Sequence, residues 1–189
     1  MTVVYKKAVY PLACLCGGMG GIFILAFDDL LQYRRAEILS GQLWRLLSAH
    51  LVHSSVAHVG WNGLGFCLFW LVFYRYLSIR YLCYASLFMG LFISGMLLCC
   101  HPDIQWYQGF SGILHGLFVL GALDDIAQKR MGGYPLLCLL LCKVIWEVLS
   151  GHPTHADLIG PVLVHAHVYG VMAGLCLGGG HAITINRRR

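Results

Sequence analysis

Ser111 stands in the string Gly109-Phe110-Ser111-Gly112, with Gly116 a turn further on. A serine hydroxyl is a poor nucleophile until a base within hydrogen-bond reach takes its proton. His167 has the chemistry for that task, since an unperturbed imidazole titrates near a pH of about 6.5. Acyl transfer also needs donors for the developing oxyanion. The Ser111 N–H falls in the first turn of its helix, where N–H groups are unpaired and the dipole favours negative charge. His58 and Asn62, four residues apart and so on one helix face, add two side-chain donors. No carboxylate presents itself as a third member. Asp103 and Asp157 fall in loops. Glu147 lies four residues from Lys143, and two opposite charges one turn apart need no other partner. The expectation is a Ser–His dyad, with no cofactor and no metal.

The elements that must position these groups are membrane spans. Of 189 residues, 59% are hydrophobic and 11% charged, against about 25% charged in a soluble domain. That composition excludes a soluble enzyme, a disordered regulator and a nucleic-acid binder. At roughly 20 apolar residues per span, the runs fall at about 8–27, 48–74, 81–100, 109–123, 134–150 and 161–181. The chain reads as one all-α membrane domain, residues 1–189, with six transmembrane helices. Lys6, Lys7, Arg75, Arg80, Lys129, Arg130 and Arg187 to Arg189 fall on one side, against Arg34, Arg35 and Arg45 on the other. The positive-inside rule therefore puts both termini in the cytoplasm.

Span 4 is short. From Ser111 to Leu123 a helix covers about 20 Å, while the hydrocarbon core is about 30 Å thick. With Asp124 and Asp125 at the inner surface, Ser111 lies below the outer one, and residues 106–110 are irregular backbone at membrane depth. Such backbone is tolerated only beside protein or a water-filled cavity, so a wet pocket open to the outside is expected. Gly170, Gly174 and Gly178 recur every four residues on span 6, a small-residue face that lets another helix approach. Packed on the glycine-rich start of span 4, that face brings His167 toward Ser111. Residues 151–160, with Gly151, Pro153 and Gly160, are suited to a lid.

Each group has a plainer reading too. Ser111 can back-bond to its own helix, His167 can be a satisfied core histidine, and His58 and Asn62 can glue helices together. His50, His101, His152, His155 and His165 read as interfacial polar groups, Trp44, Trp61 and Trp106 as interfacial anchors, and the nine cysteines as small buried hydrophobes. His115 lines the cavity, bonds another helix or touches substrate, and the sequence does not order these. The rival from another class is a histidine-based haem or metal-binding membrane protein. It leaves Ser111 between its glycines without a reason.

These residues resemble the rhomboid family of intramembrane serine proteases. Gly109-Phe110-Ser111-Gly112 is similar to its GxSG motif, and His53-x4-His58-x3-Asn62 to its second-helix motif. Ala166-His167-x2-Gly170-x3-Gly174 resembles the sixth-helix motif, and Trp44-Arg45 the Trp-Arg pair of the first loop. The resemblance implies Ser111 as nucleophile, His167 as general base, and His58 with Asn62 at the oxyanion hole. His53, Gly109, Gly112, Gly170 and Gly174 support the motifs. Within the family the chain looks most like the short rhombosortases, through Trp106-Tyr107-x-Gly109-x-Ser111-Gly112-x2-His115-Gly116 and Lys143-x2-Trp146-Glu147. That implies a bacterial inner membrane, a site open to the periplasm, and as substrate a membrane-anchored protein with a C-terminal Gly-Gly-type tail. A general rhomboid cleaving other single-span proteins is the alternative within the family. Many rhomboids carry an aromatic residue one turn past the nucleophile, packed on the imidazole. This chain has His115 there.

Overall fold

The structure is a computed structural model and describes residues 28–151 and 163–187, with side chains up to residue 179 in the second stretch. Span 1 with Lys6 and Lys7, the lid residues 152–160 with His152, His155 and Asp157, and Arg188 and Arg189 fall outside the described residues. Four short elements come first: α1 Asp28–Leu31, β1 Tyr33–Arg34, α2 Arg35–Leu39 and α3 Arg45–Ser48. The bundle follows as α4 Val56–Phe73, α5 Ile79–Cys100, β2 Trp106–Tyr107, α6 Ser111–Ala127, α7 Gly133–Ser150 and α8 Val164–Arg187. Three of these helices, α4, α5 and α7, are long and apolar enough to cross a membrane.

Several expectations about the elements are corrected. Residues 48–55 are not part of the second span. The helix starts at Val56, because Ser55 is extended and its hydroxyl accepts the His58 N–H as an N-cap. The Trp106–Tyr107 segment is not irregular. It pairs antiparallel with β1, Tyr33 opposite Tyr107 and Arg34 opposite Trp106, so the first loop satisfies its backbone. The α6 helix does not stop at Leu123. It runs through Asp124 and Asp125 to Ala127, because both buried carboxylates are paired: Arg130 donates to Asp124 at 2.7 Å and to Asp125 at 2.6 Å. At 17 residues, α6 covers about 26 Å, closer to the thickness of the hydrocarbon core than expected.

The α6 helix is the axis of the molecule. Gly112, Leu117, Leu120 and Ala122 lie within the packing, along with both aspartates. On one side α4 supplies Phe66, Phe69 and Phe73, with Phe66 edge-on to Phe110 and Phe69 edge-on to Phe118. On another, α5 supplies Met89, Ile93 and Leu97, all fully buried. Toward α8, the first turns of α6 present glycines. A Cβ on Gly112 would lie 2.8 Å from the Ala166 carbonyl, and one on Gly116 2.6 Å from that of Gly170. The two helices therefore meet backbone to backbone, as the glycine spacing required. Cysteines fare differently from their reading as buried groups. Cys83, Cys99, Cys100, Cys138, Cys142 and Cys176 are exposed free thiols on the outside of the bundle, where a bilayer would cover them.

The first loop is stapled by buried polar side chains. Arg45 is 4% exposed. Its Nη1 donates to the carbonyls of Asp29 at 3.0 Å and Gln32 at 2.8 Å, and its Nε to Gln42 Oε1 at 2.8 Å. His50 is not interfacial but buried, with Nε2 3.0 Å from the Gly90 carbonyl and 3.1 Å from Ser94 Oγ. Trp44, Trp61 and Trp106 remain about half exposed. Arg45→Ala removes three charge-assisted bonds and leaves two loop carbonyls unpaired. Its expected cost is about 3 kcal/mol, read as a lowered unfolding temperature of the detergent-solubilised protein.

Candidate active site

Ser111 is the first residue of α6, preceded by backbone held in one conformation. Gly109 has φ +124°, a region that side-chain-bearing residues rarely adopt, and a Cβ there would lie 2.7 Å from the His58 ring. Its N–H donates to the Ala49 carbonyl at 2.9 Å, and its carbonyl accepts the Tyr107 hydroxyl at 2.7 Å. Phe110, at the N-cap position, offers no side-chain cap. The first N–H groups of α6 are thus those that a helix leaves without intrahelical partners.

The α8 helix brings His167, 3% exposed, to this point. Its Nε2 lies 3.0 Å from Ser111 Oγ. Its Nδ1 lies 2.8 Å from Oε2 of Glu147, which is fully buried on α7. A carboxylate only accepts, so Nδ1 carries the proton and Nε2 is left to accept the serine O–H. The expectation that the Lys143–Glu147 pair needs no other partner is therefore corrected. Glu147 is not satisfied by Lys143, because a carboxylate has two oxygens and the helical pair uses one. Lys143 Nζ donates to Oε1 at 2.6 Å, and Oε2 faces His167.

His115 occupies a place that the sequence left open. Its ring stacks on that of His167, with centroids 4.1 Å apart and planes at 20°. Lys143 Nζ lies 3.0 Å from His115 Nε2, which therefore accepts, and Nδ1–H donates to the Ser111 carbonyl at 2.7 Å. The imidazole thus packs on the His167 ring and also bonds to Lys143 on α7. On the other side of Gly109, His58 and Asn62 are both buried on α4. The Ser54 hydroxyl is 3.1 Å from His58 Nδ1. Among the described residues, His58 Nε2 and Asn62 Nδ2 have no hydrogen-bond partner. His53 is fully buried and packs edge-on to His58 at 4.9 Å. Gly170 and Gly174 lie on the α8 face against α6.

The sequence model of the Rhomboid domain matches residues 40–182, a stretch that contains every residue just described. This chain belongs to the rhomboid family. Rhomboid domains are serine intramembrane peptidases, hydrolases that act on transmembrane substrates within the bilayer. The chain is therefore an integral membrane enzyme of that class. A search of the curated proteins returned no match. Among the described residues the rival metal reading has one foothold in this rhomboid, since donor atoms of His115, Glu147 and His167 lie within 4.8 Å of one another. The Lys143 ammonium already donates to two of those three groups. It supplies the positive charge that a cation would bring, and a metal would have to displace it.

The contact that sequence reasoning missed is the one between Glu147 and His167. Its signal was present: an ionisable side chain inside an apolar helix marks a functional position by default. The i,i+4 lysine gave it an innocent explanation.

Proposed function

We propose that Ser111 is the nucleophile and His167 the general base of a peptidase cleaving in or near a substrate's transmembrane segment. The observation that carries this is the 3.0 Å separation of Ser111 Oγ and His167 Nε2, within the reach that proton transfer needs. The serine proton passes to Nε2 as Oγ bonds to the scissile carbonyl carbon. The tetrahedral oxyanion is held by the Ser111 N–H, His58 and Asn62. The C–N bond then breaks, and the imidazolium gives its proton to the leaving amine. A water attacks the acyl carbon and surrenders a proton to His167; the acyl C–Oγ bond then breaks, the carboxylic acid leaves, and the proton returns to Ser111 Oγ.

The finer reading is a rhombosortase that removes C-terminal Gly-Gly-type tails from secreted proteins. It is supported by His115 and by Lys143-x2-Trp146-Glu147, the strings in which the chain resembles that subfamily. Six spans over a single domain of residues 1–189, both termini cytoplasmic, and a site facing the periplasm of a bacterial inner membrane go with it.

Fluorophosphonate labelling in native membranes tests the peptidase roles. Wild type labels, and Ser111→Ala and His167→Ala do not; equal labelling of all three overturns the assignment. Co-expression with a Gly-Gly-tailed secreted protein tests the substrate. The tail is removed, whereas an intact tail beside cleavage of other single-span proteins indicates a general rhomboid.

A further inference from the structure

Ser111 lies on a closed ring of hydrogen bonds. Its hydroxyl donates to His167 Nε2 at 3.0 Å, and His167 Nδ1–H donates to Glu147 Oε2 at 2.8 Å. Lys143 Nζ donates to Glu147 Oε1 at 2.6 Å and to His115 Nε2 at 3.0 Å. His115 Nδ1–H returns to the Ser111 carbonyl at 2.7 Å. Every donor on this ring meets an acceptor, and only one tautomer of each imidazole allows that. In the other tautomer, His167 Nδ1 would face a carboxylate with no proton between them, and His115 Nε2–H would point at an ammonium.

We propose that Glu147 is a positioning residue for catalysis, which holds His167 in the tautomer that accepts the Ser111 proton and stabilises the imidazolium formed on transfer. Lys143 is its counter-charge and the tautomer lock of His115. The site then works as a Ser–His–Glu relay and not as a dyad. The inference rests on the peptidase reading of Ser111 and His167.

Burial of the group argues against a merely structural pair. An isolated ion pair on α7 is most stable with its charges turned toward water or headgroups, yet Glu147 is fully buried in the bundle. Its side chain is aimed across to α8. The lysine makes that burial tolerable by balancing the charge. It leaves Oε2 to do for His167 what a buried aspartate does for the histidine of soluble serine proteases.

The test uses the full-length chain with Glu147→Gln and the double variant Lys143→Met/Glu147→Gln. Fluorophosphonate acylation rates are measured alongside kcat and KM on a single-span substrate. Nitrogen-15 spectra of histidine-labelled protein, assigned with His167→Ala, report the tautomer. The expected result for Glu147→Gln is a fall in kcat of about 10⁴-fold with KM little changed, and loss of the Nδ1–H tautomer at His167. The double variant removes both charges, so a purely electrostatic defect in folding is relieved. It stays folded and remains slow. Wild-type acylation in Glu147→Gln, or recovery of wild-type acylation in the double variant, overturns the proposal. Ser111→Ala that still labels would instead overturn the underlying assignment.

Discussion

Gly170→Ala is expected to lower the unfolding temperature sharply and to slow acylation, and Gly95→Ala to do neither. The two substitutions add the same methyl group to membrane helices and differ only in what it meets. At Gly170 a Cβ runs into the Gly112 carbonyl oxygen and lies 3.3 Å from Gly112 Cα. Those are backbone atoms of the central helix, one residue after Ser111, and no rotamer change moves them. The neighbouring contacts are as close. A Cβ on Gly174 would lie 2.5 Å from the Gly116 carbonyl, so α8 cannot slide to relieve the clash. Overpacking of this kind costs about 3 kcal/mol and pushes His167 away from Ser111. Around Gly95 nothing lies within 4 Å, and alanine there gains about 1 kcal/mol of helix propensity. Thermal unfolding in detergent and fluorophosphonate labelling read both effects. Equal unfolding temperatures for the two variants would mean that α6 and α8 do not meet backbone to backbone.

Asn62→Leu is expected to lower acylation about 10²-fold to 10³-fold, the cost of one oxyanion donor, without lowering stability. The two halves of that expectation share a cause. Asn62 Nδ2 is buried and has no partner among the described residues, and an unmet buried donor costs about 1–3 kcal/mol. Leucine keeps the volume and removes the cost, so the unfolding temperature stays level or rises while the rate drops. His58→Ala loses a comparable factor in rate but also destabilises. Its ring packs against Gly109 and His53 and lies 3.1 Å from the Ser54 hydroxyl, and deleting it leaves a cavity. Measuring kcat and unfolding temperature together separates the cases. A less stable but fully active Asn62→Leu would make Asn62 a helix-gluing group.

Much of the architecture was legible because membranes make sequence patterns blunt. Apolar runs reported three helices that can span, and the glycine period of four on α8 foretold its contact with α6, because only glycine lets two backbones touch. Ends of elements were less legible. Asp124 and Asp125 looked like a helix end, since charge usually marks the bilayer surface, yet Arg130 folds back and lets α6 continue past them. Trp106 and Tyr107 looked irregular because their pairing partner, β1, lies more than seventy residues earlier. His50 read as an interfacial group, since nothing local to it shows the Gly90 carbonyl it binds.

By itself the sequence determined the chemistry available: a serine at a glycine-flanked helix start, a histidine on a glycine-faced helix, and two donors one turn apart. Local spacing is enough for those, because helical periodicity fixes which residues share a face. Only the tertiary structure decided what the histidine leans on. The i,i+4 rule accounts for Lys143 and one oxygen of Glu147. The partner of the other oxygen is twenty residues away on a different helix, and that distance closes only when α7 and α8 both pack on α6. Side-chain spacing along one helix cannot encode a contact that depends on how three helices meet.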